Sequence, residues 1–201
     1  MLPSNSPSNP FSSRNVRPGA IPFLFSADEA PTQLVDRLRA ADWWGEIVGP
    51  HGSGKSSLVA ALAPHLAAAD RHLLSISLHD GQRHLRAYAG DRAAVDRRCL
   101  VIVDGYEQLS WFSRWRLKRL CRRRGCGLLV TSHGPVGFPR LYTMRPTLET
   151  AMQIVAGLVD LESGPIRRAD VERLFAVRGG NLRDVLFDLY DLYEERRNRP
   201  A

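Results

Sequence analysis

The chain has 201 residues, of which 44% are hydrophobic, and its formal net charge is +7. This length can bury one ordinary core with a small appended subdomain, but not two full domains. The positive charge is compatible with nucleic acid, a phosphorylated ligand or an anionic membrane surface as partner, and it selects none of them.

The cysteines and the apolar runs indicate the expected compartment. Cys99, Cys121 and Cys126 have neither the CxxC spacing of a zinc site nor the density of a disulfide framework. No stretch approaches the ~20 apolar residues of a membrane span, and the N-terminus lacks the pattern of a secretory signal. We therefore expect a reduced protein in the cytoplasm.

The N-terminal region changes character near Ile21. Residues 1–19 are rich in Ser, Asn and Pro, which predicts a disordered tail, with order beginning near Ile21. A helix carrying Leu34, Val35 and Leu38 on one face follows, and its candidate caps are Asp28 and Thr32.

Short apolar runs then alternate with helical patterns. The predicted strands are residues 44–48, 73–78, 100–103, 128–131 and 141–144. One predicted helix begins at Lys55, and another covers residues 109–124. Buried strands separated by helices predict an α/β fold, a parallel β-sheet core with helices on both faces, over residues 20–147. Beyond it, helical patterns at 148–161, 167–177 and 182–197 predict a small all-α lid subdomain, residues 148–201.

A glycine-rich loop follows the first predicted strand and opens a helix. It matches GxxxxGK[ST], the P-loop or Walker A pattern, at Gly49, Pro50, His51, Gly52, Ser53, Gly54, Lys55 and Ser56. Glycines let backbone N–H groups surround phosphates, and the helix N-terminus adds positive potential. Lys55 is expected at the β- and γ-phosphates of ATP and Ser56 on Mg²⁺, while Ser57 is a residue of the helix.

Acidic residues follow the apolar strand 100–103. Asp104 is the candidate Walker B aspartate and second Mg²⁺ ligand. Many P-loop ATPases carry Glu directly after this position, whereas here Gly105 and Tyr106 precede Glu107. Glu107 either orients the attacking water or caps the helix beginning at Leu109, and the sequence leaves both roles open.

A third strand ends in Thr131, Ser132 and His133, at the edge where a parallel sheet places its ligand crevice. These residues are candidate sensors of the γ-phosphate. His133 lies before Gly134 and Pro135, so a local turn contact is its alternative role.

Along the chain, a glycine-rich loop is followed by a strand that ends in an acidic residue, a strand that ends in polar residues, and a predicted helical lid. In this order of features the chain resembles the additional-strand P-loop ATPases and, among them, AAA+ ATPases. The resemblance implies that Ile21, Pro22 or Phe23 contacts the adenine. It also implies that Gly180, Asn181 and Arg183 begin the sensor 2 helix, in which Arg183 approaches the γ-phosphate. Independently of function, Asn181 is expected to cap that helix. The segment before Leu141 is short, so no arginine finger is assigned; Arg140 lies nearest.

The helical pattern 109–124 is strongly basic and aromatic. Basic residues beside aromatics suit nucleic acid, but Trp111, Trp115 and Leu120 recur at helical spacing, and the preferred interpretation places them in the core. The leading hypothesis is a Mg²⁺-dependent ATPase or ATP-driven switch. The alternatives are a P-loop phosphotransferase acting on a small molecule or nucleotide, and a module that binds ATP without hydrolysis or accompanies nucleic acid. A protein partner and a homo-oligomer also remain open.

Overall fold

The computed structural model describes residues 9–26, 29–78 and 95–198. The described residues form two compact units, which are treated separately below. One comprises His51–Ser57 together with the described residues up to 24 and from 145 onward, and the other comprises residues 25–50 and 58–144. Residues 1–8 of the predicted tail and the candidate cap Asp28 lie outside the described residues.

The elements follow the predicted order closely. The helices are α1 Ser13–Val16, α2 Pro31–Ala40, α3 Lys55–Ala68, α4 Trp111–Arg124, α5 Leu148–Ala156, α6 Arg168–Val177 and α7 Leu182–Arg197, with a 3₁₀ turn at Tyr106–Gln108. The strands are β1 Trp44–Val48, β2 His72–Ser77, β3 Cys99–Asp104, β4 Gly127–Ser132 and β5 Arg140–Thr143. In the described ranges, every helix is too short or too polar to cross a lipid bilayer.

The five strands form one sheet in the order β2-β3-β4-β1-β5, and every neighbouring pair is parallel. The prediction of a parallel α/β core is confirmed. Strand β4 lies between β1, which precedes the glycine-rich loop, and β3, which ends in Asp104. This inserted strand defines the additional-strand arrangement that the sequence resembles.

Helices cover both faces of the sheet. Leu117 and Cys121 of α4 pack in one cluster with Leu128 and Val130 of β4. Gly45 is paired with Leu129, so it belongs to the opposite face, and Leu38 of α2 approaches it so closely that an added Cβ would lie 2.9 Å from the leucine Cδ1. Any side chain at Gly45 would therefore require the Leu38 side chain to shift.

The residues of α4 that are buried differ from those that the sequence analysis placed in the core. Its buried residues are Ser113, Leu117 and Cys121. Trp111 is 78% exposed, Trp115 47% and Leu120 40%, so their predicted core placement is wrong. The stripe through Trp111 and Trp115 continues to Arg119, and burying it would require desolvating an arginine. The stripe through Ser113 carries no charge over two full turns.

The helical unit has its own core, formed by apolar residues of α5, α6 and α7 together with Phe11 from the N-terminal segment. Phe11 is 1% exposed and contacts the ring of Tyr193, and the Asn9 side chain donates hydrogen bonds to Tyr190 O and Glu194 Oε1. Order therefore begins by Asn9, earlier than the predicted Ile21. Composition alone missed this anchor because a single aromatic in a polar segment is enough to fill a pocket.

Helix α2 begins at Pro31, with Ala30 as the residue before its first turn. The candidate cap Thr32 lies inside the helix. The Gln33 side chain instead accepts a hydrogen bond from the Ala30 N–H at 3.1 Å. Proline at the first helical position supplies the remaining start signal, since it has no N–H to satisfy there.

Candidate nucleotide site

The glycine-rich loop has the backbone conformation that its motif requires. Gly52 and Gly54 have φ angles of 69° and 94°, in the left-handed region that residues with a Cβ rarely adopt. Helix α3 begins at Lys55, so the loop leads directly into a helix N-terminus, and Ser56 and Ser57 lie in its first turn. Gly49 and Pro50 connect β1 to this loop, and the Gly49 N–H donates to Ser132 O at 3.1 Å.

Two polar side chains of the loop are largely withdrawn from solvent. Lys55 is buried, and so is Ser53, whose Oγ has no hydrogen-bonding partner among the described residues. A buried hydroxyl without a partner costs free energy, so such groups usually satisfy a ligand or a water. Left-handed glycines, a buried lysine and this hydroxyl fit a phosphate-binding loop.

The N-terminus of α7 contacts the loop within the same compact unit. Arg183 in the first turn of α7 lies with its Nη1 3.2 Å from the His51 Nε2. An added Cβ on Gly52 would lie 1.7 Å from Asn181 Oδ1 and 3.1 Å from Arg183 Cβ. Glycine is therefore required here both by the backbone angle and by the close approach of the α7 N-terminus.

The start of α7 is built as the sequence predicted. Gly179 and Gly180, with φ angles of 55° and 81°, follow the end of α6. Asn181 Oδ1 accepts a hydrogen bond from the Asp184 N–H, which confirms the capping role. The cap fixes the helix start and thereby holds Arg183 beside the loop.

A second polar cluster lies at the carboxyl ends of β3 and β4. Thr131 is fully buried; its hydroxyl accepts from the Gly105 N–H at 3.1 Å and donates a hydrogen bond to Asp104 Oδ1. Gly105 has a φ of 81°. Its hydrogen bond to Thr131 ties its N–H to the neighbouring strand. Thr131 therefore orients the carboxylate that the sequence proposed as a metal ligand.

Glu107 and His133 meet at this same edge of the sheet. Glu107 Oε1 lies 3.3 Å from His133 Nδ1, and Glu107 Oε2 is buried with no hydrogen-bonding partner in the described part of the chain. The hydroxyl of Ser132 donates to Gly134 O at 2.7 Å, so this side chain holds the following turn. Of the three candidate sensors, Thr131 and His133 contact the acidic residues.

Glu107 does not cap α4. That role belongs to Ser110, whose hydroxyl accepts from the Ser113 N–H at 3.2 Å. Glu107 lies instead in the 3₁₀ turn that begins after Gly105. The capping alternative for Glu107 is wrong, and the water-orienting role stays a prediction.

Arg140, the residue nearest the position of an arginine finger, is engaged within its own chain. Its Nε and Nη2 each lie 2.9 Å from Oε1 of Glu46, a buried residue in the middle of β1. The other Glu46 oxygen accepts from the Val136 and Phe138 N–H groups. Sequence reasoning missed Glu46, although a single charge inside an otherwise apolar strand is a visible signal.

The predicted adenine contacts lie in the N-terminal segment of the helical unit. Ile21 is half-buried and pairs with Pro18 in an isolated bridge, whereas Pro22 is exposed. Their contact with a base stays a prediction.

Solved structures that resemble this chain share its fold. A RuvB variant of Thermotoga maritima is 16% identical, with a TM-score of 0.51 over 80% of this chain and 59% of that one. The Hsp104–ADP complex of S. cerevisiae is 13% identical, with a TM-score of 0.59 over 90% and 32%, and a DNA replication initiation factor is 15% identical, with a TM-score of 0.54 over 83% and 62%. No family model and no curated protein matches the sequence.

All three are AAA+ P-loop ATPases, and this chain therefore has the fold of an AAA+-like P-loop NTPase. It spans less than two thirds of the length of each of these structures. The similarity accordingly establishes the fold, and the chemistry has to be argued from the residues.

Proposed function

We propose that the protein binds MgATP at the loop from Gly49 to Ser56 and hydrolyses it as an ATP-driven switch. The observation that carries the proposal is the loop itself. Left-handed Gly52 and Gly54 precede a buried lysine at a helix N-terminus, and a buried Ser53 hydroxyl has no partner among the described residues. This set of groups matches the needs of a polyanion, because N–H donors, a helix dipole and an ammonium group all favour negative charge.

The roles of the residues follow from their chemistry. Lys55 neutralises the β- and γ-phosphates, and Ser56 and Asp104 are the protein ligands for Mg²⁺. When bound, Mg²⁺ withdraws charge from the phosphate oxygens. Thr131 keeps Asp104 in position through the hydroxyl–carboxylate hydrogen bond.

Glu107 is the proposed group that orients and deprotonates the attacking water. Its Oε2 has no partner within the described ranges, while Oε1 is held near the His133 ring. One oxygen therefore fixes the side chain and leaves the other to accept a proton. His133 is the positioning residue in this arrangement.

The lid supplies the switch. Arg183 is held against His51 of the loop by the Asn181 cap, so it is poised to respond to a γ-phosphate bound there. In this proposal, Ile21 and Pro22 cover the adenine. Hydrolysis removes the anion that Arg183 recognises, and the α7 N-terminus is then released.

The direct test is nucleotide binding by calorimetry with MgATP. Replacing Lys55 with Ala is expected to lower the affinity by about 100-fold or more, since a charge-assisted contact to phosphate is lost. The matched control is Lys118→Ala, which removes the only other lysine of the chain and leaves the loop intact. Equal affinity of Lys55→Ala and the unaltered protein for MgATP would overturn the proposal.

A further inference from the structure

Helix α4 carries a dense, unbalanced positive charge. It contains six arginines and Lys118 among its 14 residues, and no Asp or Glu. Burial, followed by the nearby charges of Arg122 and Arg114, lowers the pKa of Lys118. In the described ranges, no salt bridge joins any of these seven side chains to an acid, so α4 presents cationic groups without an acidic ion-pair partner in that part of the chain.

Aromatic rings lie among these charges on the outer face of the helix. Trp111 and Phe112 are 78% and 53% exposed, and Trp115 is 47% exposed. The rings of Phe112 and Trp115 are stacked, with centroids 6.0 Å apart and an interplanar angle of 21°. Large aromatics are normally buried, and a contiguous exposed group of them marks an interaction surface.

Each of the stacked rings has an arginine one turn further along. The Arg116 guanidinium lies 5.7 Å from the Phe112 centroid, and the Arg119 guanidinium lies 5.4 Å from the Trp115 centroid. This i, i+4 spacing places ring and cation side by side on one helix surface. The surface formed by Trp111, Phe112, Trp115, Arg116 and Arg119 is called the aromatic-arginine face below.

Packing among the residues that the structure describes does not account for the aromatic-arginine face. Helix α4 is anchored through Ser113, Leu117 and Cys121 on the opposite side, and its N-terminus is capped by Ser110. We propose that the aromatic-arginine face binds single-stranded nucleic acid, with bases stacking on the exposed rings and arginines contacting the phosphates.

A single strand is the occupant that satisfies both components. Unpaired bases offer flat π surfaces to Trp111 and Trp115, and phosphates follow at the spacing of the backbone. In a duplex the base faces are already stacked, so only the cations would find partners. An acidic protein segment would likewise leave the rings without flat partners. The inference is independent of the ATP site because it rests on α4 alone.

The test is fluorescence anisotropy of the full chain with labelled oligothymidylate, oligouridylate and a duplex, each of about 20 nucleotides or base pairs. We expect both single strands to bind at least about 10-fold more tightly than the duplex, and the affinity to fall as salt rises from about 50 to 200 mM. The tryptophan fluorescence of α4 should be quenched on binding.

Two variants separate the components. Trp111→Ala with Trp115→Ala should weaken single-strand binding by about 10-fold or more and leave the salt slope unchanged. Arg116→Gln with Arg119→Gln should weaken it and lower the slope of log K against log salt by about 1.4, or about 0.7 for each cation. The matched controls are Phe187→Ala, an exposed aromatic at 52%, and Arg14→Gln with Arg17→Gln, two exposed arginines of the N-terminal segment.

Several results would overturn the proposal. The proposal fails if neither single strand binds at about 50 mM salt, or if the duplex binds more tightly than the single strands. It also fails if the control variants lose as much single-strand affinity as the variants of the aromatic-arginine face. Unchanged affinity after removal of both tryptophans would mean that the charge acts alone, which also contradicts it. Binding of vesicles with anionic lipid at the same affinity as oligothymidylate would point to a membrane surface instead.

Discussion

The carboxyl ends of β3 and β4 and the outer face of α4 belong to the same compact unit and are built in opposite ways. At the strand ends Thr131 is fully buried, and its hydroxyl joins the Gly105 N–H to the Asp104 carboxylate. On α4, Trp111 is exposed and about half of Trp115 is in contact with solvent. A buried polar group has to be satisfied, so the fold itself fixes the residues at the strand ends. The contacts of the described residues do not fix the outer face of α4, where we propose a partner outside the chain.

The largest effect is expected where the strand ends perform chemistry. Glu107→Gln keeps the size of the side chain and removes the proton acceptor, so we expect the turnover of ATP to fall by about 1,000-fold with MgATP affinity nearly unchanged. Phosphate release and calorimetry measure the two quantities. Glu162→Gln, a change at an exposed glutamate, is the control. Normal turnover in Glu107→Gln would show that another group activates the water.

The inner side of α4 should behave as core. Leu117 is 4% exposed and packs against the sheet, so Leu117→Ala is expected to lower the free energy of unfolding by about 3 kcal/mol. Urea denaturation gives the value. Leu120→Ala is the matched change on the same helix, and because Leu120 is 40% exposed we expect a loss below about 1 kcal/mol. Similar losses for the two leucines would contradict the orientation of α4.

Thr131 tests whether the strand-end polar network is needed for stability. Thr131→Val keeps the shape and removes the hydroxyl, which leaves the Gly105 N–H and one Asp104 oxygen without this partner. We expect a loss of about 2 kcal/mol in the free energy of unfolding. Thr131→Ser retains the hydroxyl and should recover most of that loss. A neutral Thr131→Val would mean that water replaces the hydroxyl.

The C-terminal helices give a smaller, pH-dependent effect. Asp170 is buried; desolvation opposes its charge, but hydrogen bonds from Arg196 and from the Arg167 N–H outweigh this and lower the pKa of the carboxyl. A lowered pKa in the folded state stabilises the C-terminal helices above about pH 4, and the contribution is lost as the pH falls below that value.

Asp170→Asn should therefore flatten the fall in stability below about pH 4, at a cost of about 1 kcal/mol at neutral pH. Thermal unfolding followed by circular dichroism from neutral to acid pH measures both. Asp188→Asn serves as the comparison, because Arg178 also lowers the pKa of Asp188 but this pair is more exposed. If the stability of Asp170→Asn falls with decreasing pH in parallel with that of the unaltered protein, the lowered pKa of Asp170 does not contribute to the acid sensitivity.

What the sequence revealed depended on how local the signal was. The loop from Gly49 to Ser56 and the cap at Asn181 are short patterns with a single structural solution, and the structure has both. The anchoring of Phe11 and the pairing of Glu46 with Arg140 join residues far apart in the chain. Tertiary packing determines which residues Phe11 and Glu46 contact, so a local sequence pattern does not predict these contacts.

Helix α4 had two candidate apolar stripes, and the spacing of the tryptophans favoured the wrong one. The uncharged stripe through Ser113 and Leu117 was equally visible, but its residues are individually less hydrophobic than Trp. Extending each stripe over the whole helix distinguishes them, since the tryptophan stripe reaches Arg119. The free energy needed to desolvate one arginine exceeds the free energy gained by burying more of a tryptophan ring.

The smallest effect is expected where the contrast between the two regions is sharpest. Trp111→Ala and Trp115→Ala remove the largest side chains of α4. Because Trp111 is 78% exposed and Trp115 47%, we expect the free energy of unfolding to change by only about 0.5 kcal/mol for Trp111 and by less than about 1 kcal/mol for Trp115. Urea denaturation checks this beside Leu117→Ala. If either tryptophan substitution lowers the free energy of unfolding as much as Leu117→Ala does, that ring is part of the core, and the outer face of α4 is not available to bind a partner.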